Sequence, residues 1–441
     1  MRYPNERAED GSLLLLMDDT PHRKTVLPNG LRVLVAPMPH TRSVSVSIYV
    51  AAGSRYETPV QAGLAHFIEH LCFKGTERHP TPQEISQAID GVGGSINAAT
   101  DRELTVFYCK VAKPHFQLAM QVLSDLVRRP LFEPEEVEKE RKVVIEELAM
   151  VADSPFQLVD VLLDETLWPD QPLGRDVGGS EASVRGLTRD MTLDYLHRQY
   201  VPNNAIVAIA GAVEYDEAVG LVSDNLGDWP RGVPAGWFPV VNGQHEARAA
   251  VKYKSTEQAH LCLAVRGLAL QHPDRFGFSL LSVVLGEGMS SRLALELRER
   301  RGLAYDVHSY LSSFQDAGSL TIYAGVDPTN AESALDLLLA EMARMRDEPV
   351  PEEELSRAKE LQKGRLWLRM EDTRAVSDWM GAQELLMGRV RSVDEVAALI
   401  DAVTAHDVQR IARTLFVSAQ LNLAVVGPFR SSRRFLQRLY F

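Results

Sequence analysis

Residues 43–50, SVSVSIYV, alternate polar and apolar positions, with Val44, Val46, Ile48 and Val50 on one side. That period of two predicts a half-buried β-strand. Farther on, LTVFYCKVAKPHFQLAMQVLSDLVRRPLFEPEEVEKER (104–141) predicts a strand, an amphipathic helix, a proline-bearing loop and a second helix with an acidic first turn. The same series recurs in LTIYAGVDPTNAESALDLLLAEMARMRDEPVPEEELSRAK (320–359). A further pair, LTRDMTLDYLHRQYVPNNAIVAIAGAV (187–213) and VTAHDVQRIARTLFVSAQLNLAVVGP (403–428), sets Thr188 against Thr404, Tyr200 against Phe416 and Gly211 against Gly427 at one constant offset. Each copy reads as helix, turn and a buried strand ending in glycine. AHLCLAVRG (259–267) takes the place of 43–50 in the second copy. Recurrence of several segments in one order predicts an α+β fold of two duplicated α/β-sandwich domains.

The join is visible as DWPRGVPAGWFPVVNGQHEARAA (228–250), which has three prolines, three glycines and no helical period. It reads as a linker between domains at 22–227 and 251–436. A chain of 441 residues fits two such units. The net charge of −13 argues against nucleic-acid binding, which needs a basic surface to displace counterions. Cys72, Cys109 and Cys262 form neither a disulfide framework nor a thiolate metal pattern, and read as small buried hydrophobes. Near the N-terminus the apolar run LLLLM is flanked by acidic residues and is too short for an export signal. No stretch approaches the roughly 20 apolar residues of a membrane span, so a cytoplasmic chain with no membrane partner is expected.

One helical run breaks its own pattern. GLAHFIEHLCFKGT (63–76) reads as buried helix, yet carries His66, Glu69 and His70. Residues four apart project from one side of a helix, so two imidazoles can reach one ion, with Glu69 within about 60° of His66 around the axis. Zinc accepts imidazole nitrogen and carboxylate oxygen, and a neighbouring unbound glutamate can take the proton of an attacking water. The order H-x-x-E-H inverts the thermolysin type H-E-x-x-H and meets the same geometric need. The equivalent stretch of the second copy, SLLSV (279–283), is plain core.

A third ligand has to come from another helix. In EKERKVVIEELAMV (138–151), Glu140, Val144, Glu147, Leu148 and Val151 fall within an arc of roughly 100° on a helical wheel. Glu146 falls outside that arc. Two acids on an inward stripe make sense if Glu147 binds the ion and Glu140 holds a ligand or water in place.

These residues resemble the inverted-motif zinc peptidases: pitrilysin, insulin-degrading enzyme and the β-subunit of mitochondrial processing peptidase. The resemblance runs from TVLPNGLRVLVAP (25–37) to LAVVGP (423–428). It implies His66, His70 and Glu147 as Zn2+ ligands, Glu69 as general base and Glu140 as supporting acid. GGSINAATDRELTVFY (93–108) resembles the strand whose edge binds substrate through Asn97, Ala98 and Ala99. GEGMSSRLALELRERRGLAYDV (286–307) resembles a segment whose Arg and Tyr, here Arg298 and Tyr305, reach across to the zinc site of the first domain to hold the peptide and the developing oxyanion. Glu287 stands where many relatives have glycine. A phosphate-loop reading of GEGMSS fails for want of the lysine.

The resemblance further implies that each chain forms half of a clamshell chamber, as a homodimer or beside a related chain. The expected activity is zinc-dependent endopeptidase action on peptides or unfolded segments. Two alternatives remain: a peptide-binding or scaffolding subunit, and a dedicated maturation protease needing a partner chain.

Overall fold

The computed structural model describes residues 22–441. The LLLLM run read above lies outside the described residues. No described helix is long and apolar enough to cross a membrane.

Two sheets of matching design dominate the chain. The first runs, in spatial order, Arg23–Val26, Arg32–Pro37, Ala205–Gly211, Ser43–Val50, Thr105–Ala112 and Ser95–Thr100. The second runs Arg248–Tyr253, Leu421–Gly427, Ala259–Arg266, Gly318–Val326 and Ala304–Ser313. In each, one parallel pair (Arg32–Pro37 with Ala205–Gly211, and Arg248–Tyr253 with Leu421–Gly427) joins an otherwise antiparallel ladder. The second sheet is thus the first without its opening strand. Residues 248–250, expected in the linker, begin a strand, because pairing with Leu421–Gly427 satisfies their backbone. Residues 228–247 carry no helix or strand, but they are tied down. The Phe238 N–H donates to the Arg55 carbonyl at 3.1 Å, and the Arg55 guanidinium stacks on Trp237 at 4.2 Å.

One face of the first sheet packs on helices Leu64–Cys72, Phe116–Arg128 and Tyr215–Leu226 around Val44, Val46, Ile48, Phe67, Leu123 and Val222. The opposite face is covered by a helix from the other half of the chain. Thr373–Met387 sets Val376 and Met380 against Leu34, Tyr49, Ile206 and Ala208. The exchange is reciprocal: Pro155–Leu167 lays Val159, Leu163 and Leu167 on Cys262, Ala264, Ala424 and Val426 of the second sheet. Each of those three side chains is at most 2% exposed, and burial of each is worth about 1.5–3 kcal/mol.

The exchange corrects the reading of Ser43–Val50 as half-buried. Its polar side is buried too, because Ser45 and Ser47 bond the hydroxyls of Thr373 and Ser377 at 2.8 and 2.6 Å. Hydroxyl partners let a polar strand face accept a helix without a desolvation penalty. The basic tail packs on its own half, with Phe435 and Leu439 in the second core and Arg438 on Glu332 and Asp336.

Candidate metal centre

Helix Leu64–Cys72 buries Leu64, Ala65, Phe67, Ile68, Leu71 and Cys72 in the first core. With those six positions committed, the 3.6-residue period leaves His66, Glu69 and His70 on the opposite side. The two imidazole rings face helix Pro134–Asp153, which turns Val137, Glu140 and Val144 inward and Glu147 toward the imidazoles. Cys72 is fully buried and takes no part.

The histidine rings stand 4.6 Å apart at 68°. His70 Nε2 lies 3.4 Å from Glu147 Oε2, and His66 Nε2 lies 4.0 Å from the same oxygen. Ligand atoms of all three residues fall within 4.8 Å of one another. Among the described residues this is the single such gathering of His, Cys, Asp or Glu side chains. Donors bound tetrahedrally to zinc at about 2.1 Å stand about 3.4 Å apart. Of the three pairs one already has that spacing, the second is slightly wide, and the imidazole–imidazole pair lies within 4.8 Å, so the donor set fits zinc after a small contraction.

The remaining atoms of the site are arranged unequally. His70 Nδ1 meets Glu140 Oε2 at 3.1 Å, and Lys74 Nζ holds the other Glu140 oxygen at 2.7 Å. This carboxylate–histidine relay fixes the tautomer that leaves Nε2 free for metal. His66 Nδ1, in contrast, is buried with no hydrogen-bond partner. Glu69 Oε2 is also buried and unpartnered.

Burial and the neighbouring His70 push the His66 pKa down to about 4, so His66 is neutral and able to bind metal at pH 7. Burial also opposes protonation of His70, but Glu140 and Glu147 outweigh it and hold its pKa above the usual value. Burial raises the Glu69 pKa against hydrogen bonds from the Thr100 side chain and backbone, the direction expected of a general base. Glu140 runs the other way: burial is outweighed by His70 and Lys74, and its pKa is lowered.

Strand Ser95–Thr100 is the outer edge of the first sheet and pairs only with Thr105–Ala112. Alternate residues of an antiparallel edge turn their backbone groups outward. Ala98 N–H donates to Asn97 Oδ1 at 2.8 Å, so it points away from the partner strand. Of the three edge residues expected to bind substrate, Ala98 presents its backbone outward and Asn97 its side chain. Ala99, out of phase, turns its backbone toward Val106.

Arg298 and Tyr305 sit elsewhere. Arg298 lies on the π-helical turn Ala294–Arg300 and Tyr305 on Ala304–Ser313, the edge strand of the second sheet. The guanidinium rests 5.1 Å from the Tyr305 ring, and Tyr305 is 78% exposed. Among the described residues, no hydrogen bond, ion pair or ring contact joins either to the His66–His70–Glu147 group. Glu287 accepts hydrogen bonds from Ser282 and Arg365 and so has a local structural role. A cavity of about 800 Å3 lined by Leu148, Val151, Leu158, Val161 and Trp168 lies nearby but contains none of the ligands.

Sequence reasoning did not identify Lys74, Thr100 or Glu57 as parts of the site. Lys74 follows His70 by four residues on the same helical face, a signal that was available. Thr100 and Glu57 reach the site through the tertiary fold, and no local pattern marks them.

An inverted histidine–glutamate motif completed by a glutamate from a second helix, on a duplicated two-sheet frame, defines a zinc-peptidase type of protein. Residues 32–181 match the family described as "Insulinase (Peptidase family M16)" and 186–362 the one described as "Peptidase M16 inactive domain". The chain belongs to peptidase family M16. It is 37% identical over 93% of its length to an uncharacterized zinc protease of Streptomyces coelicolor, of which 90% is covered. It is 34% identical over 91% of its length to the uncharacterized zinc protease YmxG of Bacillus subtilis, of which 97% is covered.

Solved structures share the fold. A protease from Helicobacter pylori superposes with TM-score 0.88 at 24% identity, covering 92% of this chain and 99% of that one. A chain of complex III2 from Candida albicans gives TM-score 0.81 at 20% identity, covering 95% and 100%.

Proposed function

We propose that this protein is a zinc-dependent endopeptidase acting on peptides or unfolded polypeptide segments in the cytoplasm. The observation that carries the reading is the convergence of His66, His70 and Glu147 beside the unpartnered Oε2 of Glu69. Zinc held by that triad would supply Lewis acidity, activating a water and polarising the scissile carbonyl. Glu69 Oε2 would take the proton of the attacking water and return it to the leaving amine.

A substrate added as a strand along Ser95–Thr100 would pair with the outward backbone of Ile96 and Ala98. Backbone pairing of that kind is largely blind to side chains. To join the ladder it would displace the Asn97 carboxamide from the Ala98 N–H, freeing Asn97 to bond the incoming chain. Thr100, at the end of this strand, lies close to Glu69, so the peptide would be delivered next to the base.

The position of Arg298 and Tyr305 on the second sheet favours a paired assembly. We infer that the active form is a clamshell dimer, with itself or with a related chain, in which these two groups reach a zinc site. There Tyr305 would donate to the developing oxyanion and Arg298 would hold the peptide carbonyl. A purely scaffolding role is disfavoured by the complete triad and base.

The test is Glu69→Gln assayed on mixed quenched peptides, with zinc content measured in parallel. The variant should keep its metal and lose about 10²–10⁴ of the turnover. Wild-type-like hydrolysis would remove Glu69 from the mechanism. Chelation should abolish activity and zinc restore it.

A further inference from the structure

We propose that Glu57 is a positioning residue for the metal centre, setting where His66 stands by gripping the first turn of helix Leu64–Cys72. The proposal rests on the zinc reading above.

The helix begins at Gly63, which has no side chain to cap it, and the first N–H groups of any helix lack partners within the helix. Glu57, six residues upstream, fills that role from the protein interior. Its Oε2 accepts from Gly63 N–H at 2.9 Å and its Oε1 from Ala65 N–H at 2.7 Å. Both carboxylate oxygens are therefore spent on the turn that carries His66, and Ala65 is the residue directly before that ligand.

Glu57 is 1% exposed, a costly place for a carboxylate whose only task is to cap. A surface serine or aspartate next to the helix would cap it with less desolvation. Arg175 lies beside Glu57 and donates through Nη2 to its backbone carbonyl at 3.0 Å, yet burial outweighs the two backbone N–H bonds and Arg175 and pushes the Glu57 pKa up to about 8.

The same loop presses on the helix start from the other side. Gly63 has φ +91°, and a Cβ there would lie 2.4 Å from the Gly178 carbonyl oxygen. A Cβ on Gly179 would lie equally close, 2.4 Å, to the carbonyl of Ala62. Backbone therefore meets backbone, which only glycine permits.

His70 is oriented through its ring by Glu140 and Lys74, whereas His66 Nδ1 is buried with no partner at all. With no hydrogen bond at Nδ1 to orient its ring, His66 depends on the placement of its own backbone turn. Glu57 holds that turn.

The test uses the full chain. Glu57→Gln keeps the volume but sets an amide N–H2 against one of the two backbone donors. Arg175→Gln, outside the motif, leaves both bonds from Glu57 to the helix and removes the counter-charge together with the hydrogen bond to the Glu57 carbonyl. Zinc dissociation constants come from chelator competition, the geometry of the centre from the visible absorption of the cobalt-substituted protein, and fold stability from the Tm of the metal-free protein. Glu57→Gln should weaken zinc about tenfold or more and alter the cobalt spectrum. Arg175→Gln should shift affinity the same way by less.

Metal-free Tm values that fall while zinc affinity and cobalt spectrum stay wild-type in both variants would reduce Glu57 to an ordinary cap and overturn the proposal. A wild-type chain that holds no zinc in the same assay would overturn the metal reading itself. The two failures are therefore distinct.

Discussion

Replacing Glu140 by glutamine isolates one link between the two helices that build the metal centre. The native carboxylate receives His70 Nδ1 at 3.1 Å and Lys74 Nζ at 2.7 Å, and its side chain is 5% exposed. Glutamine keeps the shape, but its carbonyl serves one donor while its amide N–H2 confronts the other. The charge that makes His70 a stronger base is lost. Partners of metal-bound histidines are worth about 10–100-fold in metal affinity, or about 1.4–2.8 kcal/mol.

Fold stability should change less than metal affinity. Lys74 has a partly exposed side chain and can turn to water, limiting that cost to about 1 kcal/mol. Chelator competition on wild type and Glu140→Gln, with thermal melts of both metal-free proteins, separates the two effects. A folded variant whose zinc dissociation constant stays within about threefold of wild type would refute the relay as a determinant of affinity.

Two further outcomes are expected. Because Glu140 and Glu147 hold the His70 pKa above its ordinary 6.5 against burial, protons compete with zinc near neutrality and apparent affinity should fall as pH drops through that range. In the metal-free chain the sign reverses. Protonated His70 stabilises the fold fully below 6.5, and that contribution is lost as pH rises through the higher folded value; zinc affinity and metal-free Tm measured against pH should show these opposite trends, and a flat affinity profile would contradict the assignment. Tyr305→Phe should lower kcat about 10²–10³-fold with zinc content unchanged. If Tyr305 serves a partner's site, mixing Tyr305→Phe with Glu69→Gln chains should restore activity that neither has alone, and no recovery after verified subunit exchange would place Tyr305 within its own chain's site.

Much of the metal centre was legible because it is written in helical periods. Glu147 was separable from Glu146 by wheel position alone, and the structure turns Glu147 toward His70 while Glu146 is exposed. The repeats likewise announced two similar sheets, since strand and helix order is a local property of each segment.

What depended on long-range packing was hidden. The alternation in SVSVSIYV describes one partner for one face, and nothing in it reveals a helix arriving from 330 residues away to meet the serines. Glu57 was hidden for the same reason, since a carboxylate before a helix reads as a surface acid until the loop at 175–179 closes over it. Arg298 and Tyr305 were identified by resemblance, and their distance from the triad became evident only in three dimensions.

The crossed helices bear on how this chain can be divided. A cut within 228–247 would leave Thr373–Met387 and Pro155–Leu167 each seated on the opposite fragment, so a nicked protein should migrate as one particle until denatured. Either piece made alone would carry a bare greasy sheet back and a helix with nowhere to lie. Although the two halves repeat one design, neither is a self-sufficient module, and a recombinant fragment ending at the linker should be insoluble.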